Sequence, residues 1–156
     1  GVVPMGAVVV SGDVHQAFVE EGAPDHAISL PHGYTYTGHP VACAAAIAAL
    51  DIFVKEDMPG RVRTLSPIFE KTLHELKGES HVVDIRNYGL AGALQIEPRD
   101  GDPMVRPYEM GVACWKEGLY VRWGGDTLQF APPFVCGEDD LAQMGEILRK
   151  VLRQSH

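Results

Sequence analysis

The chain has 156 residues, 46% apolar and 22% charged, and its 13 Lys and Arg against 21 Asp and Glu give a formal charge of −8. That balance suits a folded globular chain and excludes a disordered one. The acidic excess, with no cluster of Lys or Arg, argues against nucleic acid or anionic membrane as the main partner, and the longest apolar stretch, near Pro40 to Leu50, is too short to span a bilayer.

The start, Gly1-Val2-Val3-Pro4, has neither the basic segment and cleavage site of a secretory leader nor an initiator Met. The chain is therefore expected to begin part-way through a longer protein. Gly6 precedes Val8-Val9-Val10, a short buried strand by composition. Asp13 to Glu21 has helical spacing, with Val14, Phe18 and Val19 on one face, and Gly22-Ala23-Pro24 ends it. Ile28 to His39 shows no period and holds paired His, Tyr and Thr residues, the composition of an ordered loop.

Pro40 then opens a helix over Val41 to Lys55 whose run Ala42-Cys43-Ala44-Ala45-Ala46 is small and apolar on nearly every face. Such a helix is expected to be buried all round, and its exposure in an isolated chain would promote self-association. Met58-Pro59-Gly60 predicts a domain hinge. Beyond it, Val62, Leu65, Phe69, Leu73 and Leu76 form a helical stripe over Arg61 to Lys77.

Val82 to Ile85 and Gly89 to Glu97 read as strands joined by a turn at Asn87-Tyr88-Gly89. A polar loop over Pro98 to Pro107 leads to a helix over Pro107 to Glu117. Leu119 to Trp123 and Thr127 to Phe130 are strand-like, and Glu138 to Arg153 closes the chain as an amphipathic helix. The second half is thus a helix, a small, mainly antiparallel sheet and a capping helix, within an α/β fold.

Two stretches could carry chemistry. His32-Gly33-Tyr34-Thr35-Tyr36-Thr37-Gly38-His39 stands directly before the Ala-rich helix, where hydroxyls, free N–H groups and the helix dipole suit an anion such as phosphate. The alternative is a tight loop whose hydroxyls cap the helix and bond their own backbone. A metal site from His32, His39 and Cys43 is disfavoured, because the pair four apart straddles Pro40 and no carboxylate stands nearby. In Tyr120-Val121-Arg122-Trp123-Gly124-Gly125-Asp126, Arg122 could project into a cleft and clamp a carboxylate with its planar fork. Equally, it could pair with Asp126 or lie over Trp123. Arg86 reads as an exposed residue at a turn.

Neither common Gly-rich phosphate loop occurs, and no GxSxG. Cys43, Cys114 and Cys136 lack CxxC spacing, so free thiols in a reducing cytoplasm are the expectation. Lys55, Lys71, Lys77, Lys116 and Lys150 all sit among charges, and none reads as a desolvated, low-pKa amine.

Taken in order, Pro4-Met5-Gly6-Ala7-Val8, Pro31-His32-Gly33-Tyr34-Thr35-Tyr36 with Gly38-His39-Pro40-Val41-Ala42-Cys43, Asp84-Ile85-Arg86-Asn87-Tyr88-Gly89-Leu90-Ala91-Gly92, and Tyr120-Val121-Arg122 with Gly124-Gly125-Asp126-Thr127-Leu128-Gln129-Phe130 resemble the class III (omega) aminotransferases, in particular the omega-amino acid–pyruvate group. The resemblance covers essentially the whole chain. It implies the C-terminal part of a fold-type I pyridoxal-phosphate (PLP) transferase: residues 1–58 as the tail of the large cofactor domain and 59–156 as the small αβ domain. It also implies a homodimer with active sites at the interface.

By that resemblance Thr35 binds the cofactor phosphate of the partner subunit, Tyr34 lines the same site, and Arg122 holds the substrate carboxylate. The family's Schiff-base Lys falls upstream of Gly1, so no catalytic residue is expected within this chain, which alone should be inactive. The implied activity is transfer of an amino group from an omega-amino acid such as β-alanine to pyruvate. Another class III aminotransferase, a semialdehyde aminomutase and a non-catalytic folding or dimerisation domain remain as alternatives.

Overall fold

A computed structural model describes residues 3–155. The expectation drawn from the Gly1-Val2 start therefore lies outside the described residues. The chain divides into two compact units, Gly1–Glu56 and Asp57–His156.

The first unit holds two helices. Helix α1 (Gly12–Glu21) is capped by Ser11, whose hydroxyl accepts from the Val14 N–H. Helix α2 (Pro40–Lys55) begins with Pro40 in its first turn, where the missing N–H costs nothing, and His39 Nδ1 accepts from the Ala42 N–H at 3.4 Å. Two expectations fail here. Val8, Val9 and Val10 form no strand, and Val8 and Val9 are 91% and 93% exposed. No residue of α1 or α2 is buried, and Leu50 and Val54 lie open on α2. Sequence composition records what a segment needs to bury, and no residue of α2 reaches that burial here.

The second unit builds a complete core. Helix α3 (Met58–His74) starts three residues before the predicted Arg61, because Met58-Pro59-Gly60 forms its first turn. Asp57, left-handed at φ 43°, caps it by accepting from the Gly60 N–H at 3.1 Å. Strands β1 (Val82–Tyr88) and β2 (Ala91–Ile96) follow. Their turn is Gly89-Leu90, since Asn87 and Tyr88 remain paired with Gly92 and Ala91.

Helix α4 (Val105–Lys116) leads to strand β3 (Arg122–Gly124), then β4 (Thr127–Phe130) and helix α5 (Glu138–Gln154). The predicted strand over Leu119 to Trp123 shrinks to three residues because only Arg122, Trp123 and Gly124 pair with β4. The sheet runs β1-β2-β4-β3, antiparallel throughout.

Alternation along these strands gives the sheet two unlike faces. One carries Ile85, Leu94 and Leu128 in register, with Leu94 and Leu128 fully buried. Phe69 and Leu73 of α3, Met110 and Cys114 of α4, and Leu148 and Leu152 of α5 complete this core. Gly92 is the point of closest approach: a Cβ there would lie 2.4 Å from Leu73 Cδ1 and 2.9 Å from Phe69 Cζ. Arg106, buried beside α4's start, donates to the carbonyls of Glu97 and Pro98 and pins the loop after β2, a role nothing in its local sequence signals.

At the far end of α5, Arg153 grips Glu79 with two hydrogen bonds of 2.7 and 2.8 Å. Its guanidinium holds the Glu79 carboxyl below the ordinary value of 4.5. A depressed carboxylate stabilises the fold above its unfolded pKa, and that stability is lost as pH falls through the folded value. Wild-type protein should therefore lose resistance to urea on acidification below 4.5 more steeply than Glu79→Gln, and parallel urea midpoints across that range would show that the clasp contributes nothing.

Candidate functional site

The sheet face turned away from the core carries a row of four residues, one per strand. Arg86 on β1 pairs with Ala93 on β2, Ala93 with Gln129 on β4, and Gln129 with Arg122 on β3. Directly paired residues in antiparallel strands project to the same side. This row lines a cavity of about 1040 Å³, to which Pro132, Pro133 and Val135 also contribute. That volume is at the upper end of what small-molecule sites offer.

Arg122 is exposed and has no hydrogen-bond or ion-pair partner among the described residues. Of the two alternatives to a ligand-binding role, pairing with Asp126 does not occur among the described residues; the Asp126 carboxylate accepts instead from Gln95 Nε2 at 2.8 Å. Trp123 points to the opposite face, since successive strand residues alternate. Its ring lies against α4 at Gly111, where a Cβ would come within 2.5 Å of Trp123 Cε3, and edge-on to Tyr108 at 5.6 Å. Trp123 thus anchors the short edge strand to the helix layer while its neighbour Arg122 faces the cavity. A cationic fork held on a strand and free of partners is equipped to bind a carboxylate by two parallel hydrogen bonds.

Two further residues belong to this face. Gln129, half-buried and opposite Arg122, brings an amide that can donate beside the guanidinium. Sequence reasoning passed over it, because an alternating strand with a single Gln gives no signal until register is known. Arg86 was expected at a turn; it lies within β1, lines the cavity, and stands 3.7 Å from Asp84. Its charge is therefore partly spent locally, whereas Arg122's is not.

Neither Cys114 in the core nor Cys136 on the cavity wall is reactive in character. Burial pushes the Cys114 thiol up to about 11. Burial and the Asp140 carboxylate raise that of Cys136, which lines the cavity.

Thr35 and Tyr34 belong to the first unit, Arg122 to the second. In the first, Thr37 closes a turn: its hydroxyl accepts from the Tyr34 N–H at 2.8 Å, and its own N–H donates to the Tyr34 carbonyl at 2.9 Å. The His32 ring packs edge-on against Tyr34 at 5.4 Å. Thr37 is thus occupied in the turn, whereas the exposed Thr35 hydroxyl has no partner among the described residues. His39 caps α2. No group of three metal-ligating side chains occurs among the described residues, and no described helix is long and apolar enough to cross a membrane.

Comparison with known proteins places these observations. The family model for class III aminotransferases matches residues 1–152. The chain is 53% identical to an omega-amino acid–pyruvate aminotransferase of Pseudomonas putida, over 97% of its own length and 35% of the relative's. It is 51% identical to a β-alanine–pyruvate aminotransferase of Pseudomonas aeruginosa, over 97% of this chain and 34% of that one. The chain therefore spans about a third of the length of these relatives. Among solved structures, an amine transaminase from an uncultivated Pseudomonas species in the PLP-bound form superposes with a TM-score of 0.75 at 31% identity, covering 81% of this chain and 30% of that one. A transaminase with L-alanine gives a TM-score of 0.83 at 26% identity, over 92% and 35% of the two chains.

Proposed function

Because this chain belongs to the class III aminotransferase family, we propose that the full-length protein transfers the amino group of an omega-amino acid such as β-alanine to pyruvate, yielding alanine, with PLP as its cofactor. The observation that carries this reading is the unpartnered Arg122 fork on the cavity face. Donor and acceptor each bear a carboxylate, and each occupies the site in turn, so one guanidinium serves both halves of the exchange. Gln129 offers an amide N–H to the same carboxylate and narrows the orientations it can take.

The residues present fit the cofactor. Thr35, with its free hydroxyl in an exposed turn before α2, is suited to a phosphate oxygen, and Tyr34 beside it supplies an aromatic wall. Bound PLP supplies the ring that carries the amino group between donor and acceptor. The lysine this chemistry requires is assigned to the remainder of the full-length protein, since none of this chain's five lysines lines the cavity. Residues 1–58 are assigned to the tail of the large cofactor domain and 59–156 to the small αβ domain, in a cytoplasmic homodimer whose partner receives Thr35. The 51–53% identity to pyruvate-dependent relatives favours this over another class III donor or an aminomutase.

The test is an assay of the purified full-length protein with PLP, offering β-alanine or 4-aminobutyrate as donor and pyruvate or 2-oxoglutarate as acceptor. Alanine formed from β-alanine and pyruvate is the expected result. Transfer only to 2-oxoglutarate would replace pyruvate as the acceptor, and no transfer would favour the non-catalytic reading. Thr35→Ala should weaken PLP retention about tenfold, the worth of one charge-assisted hydrogen bond. Unchanged PLP affinity by equilibrium dialysis would return Thr35 to a purely local role in its turn.

A further inference from the structure

The cavity wall beyond β4 lies outside the sheet ladder. The ladder ends at Phe130, and Pro132 and Pro133, which line the cavity, have no N–H with which to extend it. Within residues 134–137 the Cys136 N–H donates to the Pro133 carbonyl at 3.0 Å, the Gly137 N–H donates to Asp140 Oδ2 at 2.8 Å, and the Gly137 carbonyl accepts from the Leu141 N–H at 3.3 Å. Three consecutive carbonyls, those of Phe134, Val135 and Cys136, turn instead toward a single side chain more than seventy positions away in sequence. Arg61, in the first turns of α3, donates from Nε to Phe134 and from its Nη2 to Val135 and Cys136 at 3.1 and 2.9 Å.

A guanidinium is rigid and planar, and it stays charged at any working pH. Bonded to three successive carbonyls, it fixes the segment's path as well as its distance from α3. Arg61 itself does not line the cavity, whereas Pro132, Pro133, Val135 and Cys136 line it together with Arg122. The anchored end of α3 is also held from behind, by the Asp57 cap and by the buried Met58.

We propose that Arg61 is a positioning residue for the carboxylate site: by gripping the carbonyls of residues 134–136 it fixes the wall that confines a substrate held on Arg122. The proposal rests on the transaminase reading for its catalytic consequence, but not for its structural content. Movement of this wall should affect substrate and transition state alike, so the loss belongs in KM and not in kcat.

The experiment uses the full-length protein and two readouts. In Arg61→Gln, KM for β-alanine and for pyruvate should rise about tenfold with kcat within about twofold, the signature of lost uniform binding. Arg61→Lys, which keeps the charge without the fork, should fall between wild type and Arg61→Gln. Independently of activity, amide hydrogen exchange in the peptide spanning residues 134–140 should quicken in Arg61→Gln while that of β1 and β2 stays unchanged. Unaltered exchange in that peptide would overturn the proposal, as would a kcat loss with KM unmoved. If the wild-type protein forms no alanine, the functional reading fails, and selective quickening of the 134–140 peptide still supports Arg61 as the wall's anchor.

Discussion

Replacing Arg122 by alanine is expected to raise KM for β-alanine between about tenfold and about 150-fold, while leaving an uncarboxylated amine such as propylamine within about twofold of wild type. The range follows from removing charged hydrogen bonds worth about 1.5–3 kcal/mol from a site with no second free guanidinium beside it. The comparison belongs in the first half-reaction, followed in single-turnover mode, because pyruvate also carries a carboxylate and would obscure the contrast in steady state. Arg122→Lys should recover part of the loss, since an ammonium retains charge and gives up the two-pronged geometry. Stability should change little, for the Arg122 side chain is exposed and makes no hydrogen bond or ion pair among the described residues. Equal losses for both amines would mean that the residue serves the sheet and not the substrate.

The second large effect lies in the core. Phe69 is fully buried against Gly92, and Phe69→Ala should lower unfolding free energy by about 3–5 kcal/mol through lost burial and the void left behind. Gly92→Ala should cost about 1–3 kcal/mol for the opposite reason, since the added methyl meets Leu73 and Phe69, both fully buried and unable to yield freely. The double variant is the decisive one. Its methyl at 92 enters space vacated by the ring, so the combined loss should fall short of the sum of the single losses. Strict additivity in urea unfolding would show that the two positions do not share this contact.

Helix stripes and turn chemistry carried most of the second unit's architecture. The spacing of Leu65, Phe69 and Leu73 was legible because those residues do face the core. The start of α3 was not, because Met58-Pro59-Gly60 looks like a break until Asp57 is seen capping it. The turn after β1 was placed early because Asn87 and Tyr88 suit turns, yet cross-strand pairing keeps them extended. Of the site, Arg122 could be singled out from its setting in a short strand before two glycines. Gln129 and Arg86 join it only through register, and Arg61 only through a contact across the whole unit, which no local pattern encodes. Val8 to Val10 failed as a strand because β-propensity needs a pairing partner, and none is present among the described residues.

Helix α2 is both alanine-rich and without a buried residue, and this has a thermodynamic consequence. Six of its 16 residues are alanine, which has no rotamers to lose, and alanine is also the residue most content to remain helical without tertiary support. Whatever surface packs on α2 therefore meets a rod that is largely ordered beforehand, and the association surrenders little side-chain freedom there. A helix of the same length built from Met, Gln and Lys would forfeit up to about 1.5–2 kcal/mol per immobilised side chain on docking. In this sense α2 carries its ordering entropy in its composition, settled before any contact is made.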